Sequence, residues 1–131
     1  MIVVETSAVV AIYKREADNE LYLRAIAEAD ALMLPASCFV ESVMALSHFA
    51  SAADDIERLL ERHEIGVAAI DATVARHAVD AFSRYGRGSG HPARLNFGDC
   101  LSYGVAKHLD APLLYKGSDF DHTDIESALP R

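Results

Sequence analysis

The chain has 131 residues, and its 12 Lys and Arg against 20 Asp and Glu give a formal net charge of −8. With 51% hydrophobic and 24% charged residues it is too apolar for a disordered chain, and its length implies one domain over residues 1–131, able to bury roughly two-thirds of its unfolded surface. So acidic a chain is no simple electrostatic sleeve for nucleic acid; contact with phosphate would need bound cations or a local basic patch.

Ile2-Val3-Val4 reads as a short, fully buried strand, and Glu5 interrupts the apolar run directly after it. The run has no basic leader, so neither a signal peptide nor a membrane span is expected. Thr6-Ser7 is expected to cap a helix through Ala8, Val9, Ile12 and Tyr13. Asp18 opens a second helix carrying Leu21, Leu23 and Ile26. Residues 31–34 form a strand stopped by Pro35, and Ser37 starts a long helix with Phe39, Val40, Val43, Met44 and Leu46 as its apolar side. Pro35, Glu41 and His48 make this second apolar region costly in a bilayer.

Asp54-Asp55 with Ile56, Leu59 and Leu60 gives a short helix, and residues 65–70 a third strand. Residues 71–85 form a helix with Val74, Ala78 and Phe82 at helical spacing. Residues 86–97 are a Gly-rich loop, 99–109 are helical, 112–115 are a strand, and Gly117-Ser118-Asp119 turns the chain. Short apolar strands alternating with helices predict an α/β fold, its parallel sheet covered on both faces. Sites in such sheets form beyond the carboxyl ends of the strands.

That rule directs attention to Glu5, segment 35–41, Asp71 and segment 116–119. Glu5 follows the first strand, Glu41 lies one turn into the long helix, Asp99 opens a later helix, and Asp119 follows the last strand. On a parallel sheet all four can meet at one edge. Each also has a structural explanation alone: Asp99 complements a helix macrodipole, Asp119 suits its turn, and Glu41 can face solvent. Glu5 is harder to explain, because a charge ending a core strand faces either a cleft or a cation.

Two carboxylates about 4 Å apart repel by roughly 4 kcal/mol at an effective dielectric of about 20, so a convergent cluster must hold a cation or share protons. No His or Cys accompanies the acids at ligand spacing, and oxygen-only ligands select Mg²⁺ or Mn²⁺. Cys38 and Cys100 form no CxxC pair and read as core thiols, and the histidines show no zinc-binding spacing.

IVVETSAVVAI, ASCFVESVMAL, ARLNFGDCLSYGVAK and APLLYKGSDFDHTDI together resemble the PIN-domain ribonucleases, and more closely the VapC-type toxins of bacterial type II toxin–antitoxin pairs. The resemblance spans nearly the whole chain. It implies a three-layer α/β/α sandwich with a mostly parallel sheet and metal-dependent endonucleolytic cleavage of RNA, leaving 5′-phosphate and 3′-hydroxyl ends. It implies Glu5, Glu41, Asp99 and Asp119 as catalytic acids, with Glu5, Asp99 and Asp119 holding Mg²⁺ or Mn²⁺. Asp121 is an accessory, and Thr6 and Ser7 match the polar positions beside the first acid. A cytoplasmic homodimer is implied, inhibited by a VapB-type antitoxin bound across the active site, and a basic antitoxin segment would match the −8 charge.

The family's first acid is usually Asp. Glu5 adds a methylene, whereas metal ligands tolerate errors of only about 0.2 Å, so either its rotamer relaxes or the site is weakened. Arg84, Arg87 and Arg94, with His91, form the one dense basic stretch. They are expected to contact the RNA backbone, with Lys116 and Lys14 as additions, the alternative being a solvated loop. Two rival readings follow: a catalytically weakened PIN-fold protein acting mainly through antitoxin binding, and a receiver-type phosphoacceptor using Asp71 and Lys116.

Overall fold

In the computed structural model, which describes residues 1–130, neighbouring valines of one short strand point into two different cores. Along the chain run β1 (Ile2–Val4), α1 (Thr6–Tyr13), α2 (Asn19–Glu28), β2 (Leu32–Pro35), α3 (Ala36–Ala45) and α4 (Ala52–Arg62). They are followed by β3 (Ile65–Ala68), α5 (Ala72–Tyr85), α6 (Phe97–Leu109), β4 (Leu113–Leu114) and a 3₁₀ turn at Asp119–His122. The sheet has the order β3-β2-β1-β4, and each neighbouring pair is parallel.

Successive strand residues face opposite sides. Val3 and Leu113 pack with Val74, Ala78 and Tyr103 from α5 and α6, whereas Val4 and Leu114 pack with Ala8, Ile12, Tyr22, Cys38 and Ile56 from α1 to α4. The result is a three-layer α/β/α sandwich. Among the described residues no helix is long and apolar enough to cross a membrane.

Several local expectations are corrected. The cap of α1 is Glu5, ahead of Thr6-Ser7. Pro35 closes β2 from within, pairing with Ala68, and α3 follows immediately. The third strand ends at Ala68, short of residue 70. Val40 and Met44 are 58% and 67% exposed, because α3 turns Cys38 and Ser42 inward instead. Phe82 is likewise 58% exposed: the buried stripe of α5 is Val74, Ala78, Ala81 and Tyr85, which leaves Phe82 on its flank.

The chain steps from β1 to β2 to β3 in one direction, then places β4 on the other side of β1. That reversal opens a crevice beyond the carboxyl ends of β1 and β4. Two bonds fix its walls: the Glu5 amide donates to the Leu114 carbonyl at 3.0 Å, and the Lys116 amide donates to Ser7 Oγ at 2.8 Å.

The α5–α6 layer depends on one missing side chain. A Cβ at Gly104 would stand 2.6 Å from the Val74 carbonyl oxygen. Gly104→Ala is expected to lower stability by about 1–3 kcal/mol, read as a lower urea midpoint at unchanged slope. An unmoved midpoint would show that the helices separate freely.

Candidate active site

Glu5 leaves β1 in extended conformation, with φ −102° and ψ 158°, and folds its carboxylate back over the start of α1. Oε2 accepts from the Ser7 amide at 2.8 Å and, at very short range, from the Ser7 hydroxyl. Oε1 has no hydrogen-bond partner among the described residues. Only 7% of the residue is exposed. Burial pushes its carboxyl from 4.5 up to about 7; the two Ser7 bonds oppose the rise, and the charges of Asp99 and Glu41 add to it.

Glu41 reaches the same place from the second turn of α3, where the Thr6 hydroxyl donates to Oε1 at 3.2 Å. Its carboxylate lies against the first turn of α6 only because residue 98 is glycine: a Cβ there would collide with it, standing 2.9 Å from Glu41 Cδ. The available signal for Gly98 was a glycine at the start of a helix, a residue that permits another group to approach closely. Its partner, however, lies in a distant segment.

Asp99 belongs to a reciprocal cap. The Asp99 amide donates to Asn96 Oδ1 at 2.8 Å, and the Asn96 amide donates to Asp99 Oδ2 at 3.1 Å. Burial raises the Asp99 carboxyl above its ordinary value; the Asn96 amide opposes this, while Asp119 and Glu41 reinforce it. Asp119 begins the 3₁₀ turn and is exposed at the outer rim. Asp121 accepts from the Tyr115 hydroxyl at 2.6 Å.

The fold therefore brings Glu5, Glu41 and Asp99 into electrostatic reach of one another, while Asp119 acts on Asp99. Among the described residues none of the four is ion-paired. Carboxylate oxygens without a cationic partner, one group deeply buried, suit a hard divalent ion. One neighbour was not expected: Cys38 Sγ and ligand oxygens of Glu5 and Glu41 lie within 4.8 Å of one another. Burial pushes that thiol up to about 12, so it is neutral beside the acids.

The basic residues divide. Arg84 sits in the last turn of α5, outside the loop, and donates to the hydroxyls of Tyr85 at 2.7 Å and Tyr103 at 3.2 Å while meeting Asp80 and Asp124. Lys116 bridges Glu16 and Asp18 at 3.2 and 3.1 Å. Arg87 acts electrostatically on Asp99, and Arg94 is exposed. Asp71, the acid a receiver-type reading needs, accepts from the Val74 amide at 2.9 Å as the cap of α5.

A family model described as the PIN domain matches residues 2–126. The chain is 42% identical over 134 residues to Ribonuclease VapC28 of Mycobacterium tuberculosis, covering 98% of each chain. It is 41% identical over 128 residues to Ribonuclease VapC42 of the same species, covering 96% of this chain and 98% of that one. In structure it resembles M. tuberculosis VapC20, described as a Sarcin-Ricin loop cleaving toxin, with a TM-score of 0.78 and 19% identity over 99% of this chain and 100% of that one. It also resembles a chain of a toxin–antitoxin complex from Klebsiella pneumoniae, with a TM-score of 0.71 and 12% identity over 92% and 90%.

The raised Glu5 carboxyl has a consequence for stability. The folded chain holds a proton that the unfolded chain has released, so stability falls as pH rises from 4.5 to about 7, by about 3 kcal/mol in total. Urea unfolding in EDTA across that range is expected to show this loss, with Glu5→Gln flattening it. An equal slope in Glu5→Gln would assign the effect to other groups.

Proposed function

The chain belongs to the PIN-domain family, and from that premise we infer that it is a VapC-type endoribonuclease toxin that hydrolyses RNA phosphodiesters with a divalent ion. What supports the reading is that Glu5, Glu41 and Asp99, far apart in sequence and none of them ion-paired among the described residues, lie within electrostatic reach of one another beside the β1/β4 crevice, with Asp119 acting on Asp99. Near-full-length relatives named ribonucleases do not favour a PIN-fold scaffold without catalysis. A receiver-type phosphoacceptor is not favoured either, since Asp71 caps a helix at the far edge of the sheet.

Glu5, Asp99 and Asp119 are the residues that would hold the ion, Mg²⁺ or Mn²⁺. When bound, the ion supplies Lewis acidity that activates water and offsets phosphate charge. Ser7 fixes one oxygen of Glu5 and leaves the other to the crevice, and the Asn96 amide does the same for Asp99. Glu41, anchored by Thr6 and lodged against Gly98, orients the attacking water and accepts its proton. Because water attacks in place of the 2′-hydroxyl, the products carry 5′-phosphate and 3′-hydroxyl ends. Asp121 shapes the rim through Tyr115.

Arg87 and Arg94 contact the RNA backbone at the mouth of the crevice. Lys116 joins them, its exposed pairs with Glu16 and Asp18 being weak enough to exchange for phosphate. Arg84, engaged by Tyr85 and Tyr103, orders the base of the loop. A VapB-type antitoxin bearing a basic segment opposes the acidic crevice, and a cytoplasmic homodimer covers exposed apolar side chains such as Val40, Met44 and Phe97.

The purified chain with Mn²⁺ is expected to cut total RNA, and EDTA to stop it. Asp99→Asn is expected to lower the rate at least about 100-fold. Products ending in 2′,3′-cyclic phosphate, or activity unchanged in EDTA, would overturn the reading. Replacing Arg87 and Arg94 with Ala is expected to weaken RNA binding and lower its salt slope by about one per lost phosphate contact. An unchanged slope would return the loop to solvent.

A further inference from the structure

An oxygen-only account of the crevice gives Cys38 nothing to do, yet its sulfur lies at the floor. Sγ and one ligand oxygen each from Glu5 and Glu41 fall within 4.8 Å of one another, close enough for a single ion to touch all three. Glu5 is 7% exposed and its Oε2 is taken by Ser7, whereas Oε1 has no hydrogen bond among the described residues, so that oxygen is open to a ligand. Beside the sulfur, 3.1 Å away, stands Ser102 Oγ, which can donate to a thiolate once one forms. Mg²⁺ and Mn²⁺ prefer oxygen and leave the thiol alone, whereas Zn²⁺ and Cd²⁺ accept thiolate and carboxylate together.

Taking the crevice as the metal site argued above, we propose that Cys38 gives it a second, inhibitory binding mode: a thiophilic divalent ion is held by Glu5, Cys38 and Glu41 and excludes the hard ion that supports cleavage. Binding forms one metal–sulfur bond and releases the thiol proton to solvent, with no change of oxidation state. The other thiol, Cys100, faces away from this cluster into an apolar groove with Phe82 and Phe97, and it provides the internal control.

The test is a Cd²⁺ titration of the intact chain, followed by the ultraviolet cadmium–thiolate band and by the paramagnetic resonance of released Mn²⁺. In the parent chain and in Cys100→Ser, one equivalent is expected to raise the band and free the bound Mn²⁺. In Cys38→Ser and Cys38→Ala the band is expected to vanish and Cd²⁺ to bind at least about tenfold more weakly. Mn²⁺ affinity in the same variants should change by less than about threefold, which also reports that they fold. A band that survives both Cys38 variants, or that grows without releasing Mn²⁺, overturns the proposal. Should the parent chain bind no Mn²⁺ before Cd²⁺ is added, the hard-ion reading falls, and a Cys38-dependent band then overturns the inhibitory mode while leaving a thiol site for Cd²⁺.

Discussion

The crowding and burial of Glu5, Glu41 and Asp99, with Asp119 beside Asp99, is what the rest of the molecule is arranged to withstand. Two carboxylates about 4 Å apart would repel by roughly 4 kcal/mol at an effective dielectric of about 20, against a typical total stability of about 5–15 kcal/mol. At Glu5 burial adds more than the neighbouring charges to the cost of ionisation. A chain free to relax would let these groups drift apart. Three of them stay together because each is held by its own local device: Ser7 on Glu5, Thr6 on Glu41, and the Asn96 cap on Asp99. The devices are short-range and the repulsion is shared, so the acids are set in place before any cation arrives.

Topology supplies the rigidity those devices need. Glu5 leaves an inner strand flanked by β2 and β4, so its backbone is fixed from both sides before its side chain is placed. The Lys116 amide, bonded to Ser7 Oγ, ties the exit of β4 to the first turn of α1. The same hydroxyl thus holds a carboxylate on one side and a strand end on the other. Loss of Ser7 would loosen both walls of the crevice at once, which is why a small polar residue there does more than cap a helix.

Much of this was legible in the letters. Apolar runs of strand length, three of the four ended by an acid or a proline, implied the parallel sheet, and the sheet indicated where to look for the acids. The misread positions share one physical cause. Helical periodicity locates a stripe but not which flank of it is covered, so Val40, Met44 and Phe82 were assigned to an interior that Cys38, Ser42, Ala81 and Tyr85 occupy. Gly98 and Cys38 escaped notice because their meaning lies in what they touch: Glu41 is 57 positions from one, and Glu5 is 33 from the other. Arg84 looked like part of a basic loop until its helix aimed it at two tyrosines.

The structural and the chemical explanations of Glu5 and Asp99 are compatible, which is why sequence alone could not choose between them. A carboxylate has two oxygens. At Asp99 one oxygen closes a cap with the Asn96 amide, and at Glu5 one accepts from the Ser7 amide, so in each case the second is directed by the first. This also bears on Glu5 itself, at a position where the family resemblance leads one to expect aspartate. Helix caps favour the shorter Asp, Asn, Ser and Thr. Here the added methylene is taken up in reaching back to Ser7, at 2.8 Å from its amide, so the carboxylate is not driven deeper into the crevice. The longer side chain lengthens the tether while the cap fixes its end, so its second oxygen is held in a way that a freely pointing side chain could not match.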